Sequence, residues 1–227
     1  RRHQLGQVER FGGFRKIEAS AFSRLRPQRL ARFQEVRPHS IYRAYWNHDG
    51  FQETGFWHID SHWQFRDSTE VHTGMNVTRE GVRTPFEIYP GIFVPPGTYD
   101  NTEAQLVAMS NQGAPFSVQM RVTAGGFFSG ERLALSPTIK FRAGDALTTQ
   151  VDYQRNDIDL PEGSFVTNLV RTRVSYSFSP RIFTQALIQY NDRADLWSMN
   201  FRFGWLQAAN TGLFVVYTHT RGLYDLF

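Results

Sequence analysis

The stretch Phe165–Phe203 reads FVTNLVRTRVSYSFSPRIFTQALIQYNDRADLWSMNFRF and alternates between apolar and polar residues through three successive segments. In the first segment the more apolar parity consists of Val170, Thr172, Val174, Tyr176 and Phe178. Successive side chains on a β-strand point to opposite faces, so each segment has one apolar face and one polar face. The alternation therefore predicts antiparallel strands joined by short turns.

Regular strands are predicted from Ser40 onwards. Their expected ranges are 40–48, 52–66, 69–79, 102–110, 115–127, 131–142, 146–157, 164–178, 181–192, 195–206 and 212–220. Turns with glycine or asparagine separate most of them, the last at 209–212, because these residues adopt the positive φ of tight hairpins. Two longer connections, 80–101 and 157–164, are candidates for contacts outside the cell, where the long loops of outer-membrane barrels lie.

The N-terminal residues 1–35 are predicted to form a basic connector or the region of a first strand, and residues 36–227 the strands of a barrel. Phe14–Phe22 has a strand-like sequence. The basic stretch after it is either solvated or in contact with lipid phosphates, and it contains Arg24, Arg26, Arg29 and Arg32. The sequence begins with neither a methionine nor a signal peptide. Because a barrel protein must be exported, it is expected to belong to a longer precursor.

Composition narrows the class of protein. The 227 residues include no cysteine, which excludes a disulfide framework and thiolate chemistry. The net charge of +4 is interspersed along the chain, so no nucleic-acid patch is predicted. No stretch of about 18 apolar residues forms a candidate spanning helix. The mean hydropathy of −0.44 still suits a membrane barrel, since half of each barrel strand faces a polar interior.

Alternation alone does not say which face meets water. A soluble barrel places its apolar face inside, whereas a membrane barrel turns the same face towards lipid. Strands of about 10 residues or more are long enough to cross a bilayer when tilted. Aromatic residues near strand ends are also typical of membrane interfaces, and the candidates are Trp57, Trp63, Tyr176, Phe178, Trp197 and Trp205. The sequence therefore favours an antiparallel transmembrane β-barrel of the outer membrane, or its C-terminal part.

Basic residues recur on the polar parity of the predicted strands. They are Arg121, Lys140, Arg142, Arg171, Arg173 and Arg202. If this parity lines a lumen, the basic wall favours anionic solutes. The alternative is that these side chains pair with carboxylates and fill the interior.

Candidates for chemistry are few. His58, Asp60 and His62 share one face of a predicted strand, and imidazole and carboxylate suit zinc. They are weak metal-ligand candidates, because the same row also fits a polar wall solvated by water. No nucleophile elbow and no phosphate-binding loop is present, so no catalytic residue and no cofactor are predicted.

Several motifs together resemble a bacterial family of unknown function, over about residues 36–220. They are Phe86–Ile88, Val94–Tyr99, Gly125–Gly130, Asp159–Phe165, Leu169–Arg171, Tyr176–Phe178, Ala186–Asn191 and Leu213–Tyr217. In that family the region follows a module similar to family-9 carbohydrate-binding domains and itself looks like an outer-membrane β-barrel. The resemblance implies a barrel from a larger protein with a link to carbohydrates. It supplies no catalytic residues.

The predicted function is that of a membrane anchor, scaffold or solute-passage barrel in a Gram-negative type of envelope. Expected partners are outer-membrane lipid, other envelope proteins or a chain that completes the barrel, and a saccharide, but no nucleic acid. One alternative is a soluble carbohydrate-binding β-domain with Tyr89, Phe93 and Tyr99 available for stacking on sugars. A second is a cell-surface hydrolase, for which only the row from His58 to His62 offers a centre.

Overall fold

The structure, a computed structural model, describes residues 13–30, 32–208 and 211–222. These residues form fourteen strands, and no helix among them is long and apolar enough to cross a membrane. The strands are β1 (Phe14–Phe22), β2 (Phe33–Asn47), β3 (Gln52–Phe65), β4 (Glu70–Val82), β5 (Phe86–Tyr89), β6 (Ile92–Val94), β7 (Gly97–Met109), β8 (Phe116–Phe127), β9 (Gly130–Ala143), β10 (Leu147–Leu160), β11 (Gly163–Ser179), β12 (Ile182–Asn191), β13 (Leu196–Ala208) and β14 (Thr211–Gly222).

Twelve strands form one antiparallel sheet in the order β1-β2-β3-β4-β7-β8-β9-β10-β11-β12-β13-β14. Neighbours in the sheet are therefore neighbours in the chain, except where the β5–β6 hairpin lies between β4 and β7. The predicted antiparallel all-β class is confirmed. Within the described residues β1 and β14 are free edges, so this sheet is not closed into a barrel.

The strand register separates the side chains into two faces, because directly opposed residues point to the same side. The apolar face carries Trp57, Ile139, Val151, Tyr176, Trp205 and the residues in register with them. The polar face carries His62, Glu103, Lys140, Arg171, Arg202 and the residues in register with them. The alternation in the sequence thus becomes two continuous surfaces of the sheet.

The polar face is the enclosed side of the sheet. Asp60, Asn76 and Glu103 are buried there, whereas large side chains such as Trp57 and Ile139 on the apolar face are exposed. Arg132 of β9 also reaches Glu103 of β7 across the intervening strand β8. Contact across an intervening strand is expected where a sheet curls towards its polar side.

All eleven predicted strands are found. Eight of them are longer than predicted, whereas β3, β8 and β12 are shorter by one or two residues. The largest difference is β2, which begins at Phe33 rather than at residue 40 and passes through Pro38. The carbonyl of Pro38 accepts from Ser23 N at 3.0 Å, so its nitrogen also faces the side where β1 has ended. Pro38 therefore costs the reciprocal bond to Ser23, which the next pair, Leu25 and Val36, makes in both directions, but it interrupts no bond between β2 and β3.

The predicted long loop at 157–164 is wrong. Strand β10 continues to Leu160, β11 begins at Gly163, and Asp159 pairs with Ser164 next to a two-residue turn. Gly163 has φ 147°, a conformation that favours glycine. The predicted loop at 80–101 is shorter, because β4 extends to Val82 and β7 begins at Gly97.

Turn chemistry is confirmed in part. Gly50 and Gly144 have positive φ, as predicted. Between β8 and β9, however, Phe128 has φ 49°, and the aromatic rings of Phe86, Tyr99 and Phe127 surround its side chain. The expected turn at 209–212 begins in residues outside the described ones.

At the N-terminus the predicted first strand exists, because β1 pairs with β2 along its whole length. The expected boundary at residue 36 falls inside β2. Two arginines of the basic stretch lie against one buried carboxylate, with Arg24 Nε 3.1 Å from Glu35 Oε1 and Arg26 Nε 3.0 Å from Glu35 Oε2. The opening residues 1–12 and the closing residues 223–227 lie outside the described ones.

The β5–β6 hairpin folds onto the polar side of β10 and β11. Val94, fully buried, forms an apolar cluster with Ile158, Leu160 and Phe165. Tyr89 stacks on Phe165 with ring centroids 4.5 Å apart. The hairpin therefore covers one end of the enclosed face and brings together the two segments predicted as external loops.

Candidate functional site

The most distinctive part of the polar face is a group of imidazoles and carboxylates on β2, β3 and β4. The strand register opposes His39 to Asp60, and His62 to both Arg37 and His72. Ligand atoms of His39, Asp60 and His62 all lie within 4.8 Å of one another. We call these three residues, with the adjacent His58, the Asp60 cluster.

Asp60 lies at the centre of the cluster, and only 2% of its side chain is accessible to solvent. Its Oδ2 lies 3.5 Å from His58 Nε2 and 3.7 Å from His62 Nε2. Its Oδ1 has no hydrogen-bond partner among the described residues. A buried carboxylate oxygen without a hydrogen-bond donor is unfavourable. A cation or a donor placed next to Oδ1 would remove this cost.

Gly74 makes room for this carboxylate. It lies opposite Asp60 in the register of β3 and β4, and a Cβ at this position would lie 3.0 Å from Asp60 Cγ. Contacts this short are tighter than side chains normally accept, so an alanine here would displace the carboxylate.

A second group shares the ring of His62. Glu70 Oε1 lies 3.4 Å from His62 Nδ1 and 2.6 Å from His72 Nε2. The same oxygen accepts a hydrogen bond from Arg37 Nη2 at 2.5 Å. The rings of His62 and His72 stack with centroids 3.5 Å apart. Glu70 thus has a permanent cation as partner, which Asp60 lacks among the described residues.

The predicted trio of His58, Asp60 and His62 does share one face. The structure adds residues from neighbouring strands, His39 on one side and Glu70 with His72 on the other. His58 is held differently, because its Nδ1 lies 2.7 Å from Asn76 Oδ1. The sequence of β3 alone does not reveal His39, which lies on β2. Its place among the polar residues of β2 predicts the correct face but not the contact with Asp60.

The six basic candidates all lie on the polar face by register. Arg171 Nε lies 3.1 Å from Asp152 Oδ2, whereas Arg142 Nη2 donates to the carbonyls of Gln112 and Ala114 at 2.9 and 3.0 Å. Arg121 is 3.4 Å from the side-chain oxygen of Gln105. The other three have no ion-pair partner in the described parts of the chain: Lys140, Arg173 and Arg202.

Five of the aromatic candidates lie on the apolar face by register, and Phe178 lies in the bulge between Ser177 and Ser179, where it has no register partner. Trp63 is half-buried, and the exposed members are Trp57, Tyr176, Phe178, Trp197 and Trp205. Both indole groups of β3 are hydrogen-bonded, with Trp57 Nε1 2.8 Å from Ser40 Oγ and Trp63 Nε1 2.9 Å from Thr73 Oγ1. Large rings with satisfied polar edges suit contact with an apolar phase.

The three aromatic residues considered for sugar stacking are not equivalent. Tyr89 already stacks on Phe165, and the Tyr99 hydroxyl donates to the Pro95 carbonyl at 2.7 Å. Phe93 is 52% exposed. Of these three rings, Phe93 alone has neither an aromatic contact nor a hydrogen bond among the described residues, so the three do not form a stacking platform.

In chemical terms, the polar face can hold a cation at the Asp60 cluster and attract anions near Arg173 and Arg202, which line one depression with Asn200. Comparison of the chain with models of protein families, with curated proteins and with solved structures finds no match.

Proposed function

We propose that this chain forms the wall of an outer-membrane β-barrel, whose apolar face contacts lipid and whose polar face lines the interior. The observation that carries the proposal is the combination of a twelve-stranded antiparallel meander with an exposed, continuous apolar face. A soluble sheet of this size would bury that face in a core. Here Ile139, Val151 and Leu106 are all more than a third exposed.

The inverted distribution of polar groups supports the same assignment. Buried carboxylates such as Glu103 and Asp60 lie on the enclosed face, where a soluble barrel would place its apolar core. In a membrane barrel the interior is polar and the lipid-facing residues are apolar. Eleven of the twelve strands of the sheet have 10 to 17 residues, which is long enough for a tilted crossing.

Free edges at β1 and β14 require a partner in this proposal, because unpaired backbone groups are not tolerated in lipid. Further strands of a longer chain, a partner chain or a second copy would complete the wall. A role as anchor, scaffold or passage follows from the wall itself. The link to carbohydrates rests only on the family resemblance of the sequence.

Passage of anionic solutes is the role that the charges favour. Lys140, Arg173 and Arg202 face the enclosed side without carboxylate partners among the described residues. Unpaired cations along an aqueous interior lower the free energy of anions there. The β5–β6 hairpin would narrow one end of this path.

The decisive experiment compares migration of the native protein, taken from isolated outer membranes, on a detergent gel with and without boiling. Faster migration of the unboiled sample is expected, because a closed barrel stays folded in the detergent. A protein that remains in the aqueous fraction and migrates identically in both lanes would overturn the proposal. It would make a soluble β-domain the better assignment.

A further inference from the structure

The carboxylate of Asp60 presents an electrostatic problem that the described residues do not solve. It is 2% exposed, its Oδ1 has no donor, and only imidazoles lie within ion-pair distance of its Oδ2. Other buried carboxylates of the polar face have arginines: Glu35 contacts Arg24 and Arg26, and Glu103 contacts Arg132. Burial of a carboxylate normally requires a cation or several donors.

In their neutral forms, His58 and His62 cannot both supply a proton to this carboxylate while keeping their other contacts. Donation from His58 Nδ1 to the oxygen of Asn76, 2.7 Å away, leaves Nε2 of the neutral ring as an acceptor facing Asp60. His62 lies between two carboxylates, with Nδ1 3.4 Å from Glu70 and Nε2 3.7 Å from Asp60. A neutral His62 ring carries a proton on only one of these two nitrogens. The other nitrogen therefore directs its lone pair towards a carboxylate.

We propose that His39, Asp60 and His62 bind one divalent transition-metal ion of the zinc type. A ligand set of two imidazoles and one carboxylate, with a further position open, is that of known zinc sites. Zinc bonds of about 2.1 Å separate tetrahedral ligand atoms by about 3.4 Å. The observed 3.7 Å between His62 Nε2 and Asp60 Oδ2 therefore needs only a small contraction.

In metal sites the second ring nitrogen of a histidine ligand usually donates a hydrogen bond, and acceptors for such bonds are present here. Glu70 can accept the Nδ1 proton of His62, which would fix the tautomer whose Nε2 lone pair faces Asp60. His39 Nδ1 is similarly 3.4 Å from the carbonyl of Arg37, which leaves its other nitrogen for the ion. His58 Nε2 lies 3.5 Å from Asp60 Oδ2 and is not one of the three proposed ligands.

The neighbouring trio of His62, Glu70 and His72 is the weaker alternative. In this trio Glu70 Oε1 already lies 2.5 Å from Arg37 Nη2 and 2.6 Å from His72 Nε2. A metal ion at Glu70 would have to displace the guanidinium or lie next to its charge. The ion is therefore assigned to Asp60, with Glu70 as the group that orients His62. This assignment does not depend on whether the apolar face meets lipid.

The test is a titration of the folded, chelator-treated protein with Co²⁺, followed by visible absorption, and then displacement by Zn²⁺. One equivalent is expected to bind, with an intense spectrum typical of four-coordinate cobalt that Zn²⁺ abolishes. Asp60→Asn, His39→Gln and His62→Gln should each weaken binding at least tenfold. His219→Gln is the control, because His219 lies on the apolar face of β14 and should leave binding unchanged.

Circular dichroism of each variant, recorded without metal, separates loss of ligands from loss of fold. Absence of stoichiometric binding to the folded wild-type protein would overturn the proposal. Unchanged affinity in folded Asp60→Asn would also overturn it. The assignment would also be contradicted if cobalt affinity fell in His62→Gln and Glu70→Gln but not in His39→Gln. That result would place the ion in the alternative trio.

Discussion

Gly74 lies directly opposite Asp60 on adjacent strands, and the absence of a Cβ there leaves the space that the Asp60 carboxylate occupies. We expect Gly74→Ala to destabilise the protein by about 1–3 kcal/mol, the usual range for overpacking. It should also reduce cobalt affinity, because the added methyl group displaces the carboxylate. Urea unfolding and the cobalt titration measure the two effects.

Gly97→Ala is the matched control, since a Cβ there would meet nothing closer than Tyr99 at 3.5 Å. It should leave both quantities nearly unchanged. Equal effects of the two substitutions would show that Gly74 is not specifically fitted to Asp60.

The buried ion pair between Arg132 and Glu103 should contribute more to stability than an exposed pair on the next strand. Glu103 is 5% exposed, and Arg132 Nε lies 3.0 Å from its Oε1. Arg132→Met leaves that carboxylate buried without a cation, at a cost of about 3–5 kcal/mol. Arg155→Met breaks a pair whose side chains are 40% and 54% exposed and should cost under about 1 kcal/mol. Similar unfolding free energies for the two variants would contradict this.

The attachment of the β5–β6 hairpin should depend on Phe165. This residue is 8% exposed and belongs to the cluster around Val94. Phe165→Ala should lower the free energy of unfolding by about 3–5 kcal/mol and make the hairpin accessible to protease. Phe93→Ala, in the same hairpin but 52% exposed, should change stability by less than about 0.5 kcal/mol. Protease resistance of the hairpin in Phe165→Ala would rule out this anchoring role.

Charge on the two faces should have unequal effects if the apolar face contacts lipid. Ile139→Arg places a cation on that face, where it should cost about 2–4 kcal/mol near the bilayer centre. Gln154→Arg on the polar face of the next strand should have little effect. Unfolding of the protein in lipid vesicles measures both variants. Tolerance of arginine at Ile139 would argue against the membrane assignment.

The pKa of Asp49, in the turn between β2 and β3, should depend on Arg83. The nearby guanidinium holds this pKa below the ordinary value of 3.8, with a backbone hydrogen bond from Phe51 as a second cause. The pair therefore stabilises the fold above about pH 4, and the contribution is lost as pH falls through the lowered pKa. In Arg83→Gln the pKa should rise towards 3.8, which NMR titration measures.

Asp67 is an internal control in the same titration. Its pKa is lowered by hydrogen bonds from Thr69 rather than by an arginine, so Arg83→Gln should leave it unchanged. A parallel rise at Asp67 would indicate a global change in the protein instead of the loss of one partner.

Much of the sheet could be predicted because its two faces differ so strongly in polarity. Where Val170, Thr172 and Val174 alternate with arginine and serine, local sequence alone determines the strand and its faces. Prediction was wrong at 157–164, where aspartate, proline and glycine suggested a loop. There, cross-strand pairing and the packing of Leu160 extend both strands to a two-residue turn.

The candidate site was less predictable for a different reason. His58, Asp60 and His62 are visible as one row because they lie on one strand. The position of His39 opposite Asp60 depends on the register between strands, which a bulge near Tyr45 shifts by one residue. The sequence pattern places His39 on the correct face, and only the paired strands identify its neighbour.

The order of strands in the sheet has a consequence for how the chain folds. Nearly every strand pairs with the next one in sequence across a short turn, so each pairing closes a small loop of chain at little entropic cost. Assembly can advance by the addition of successive hairpins. The step from β4 to β7 must close the longer segment 83–96. Early formation of the β5–β6 hairpin would shorten that gap, so this segment is where the rate of assembly should respond most to mutation.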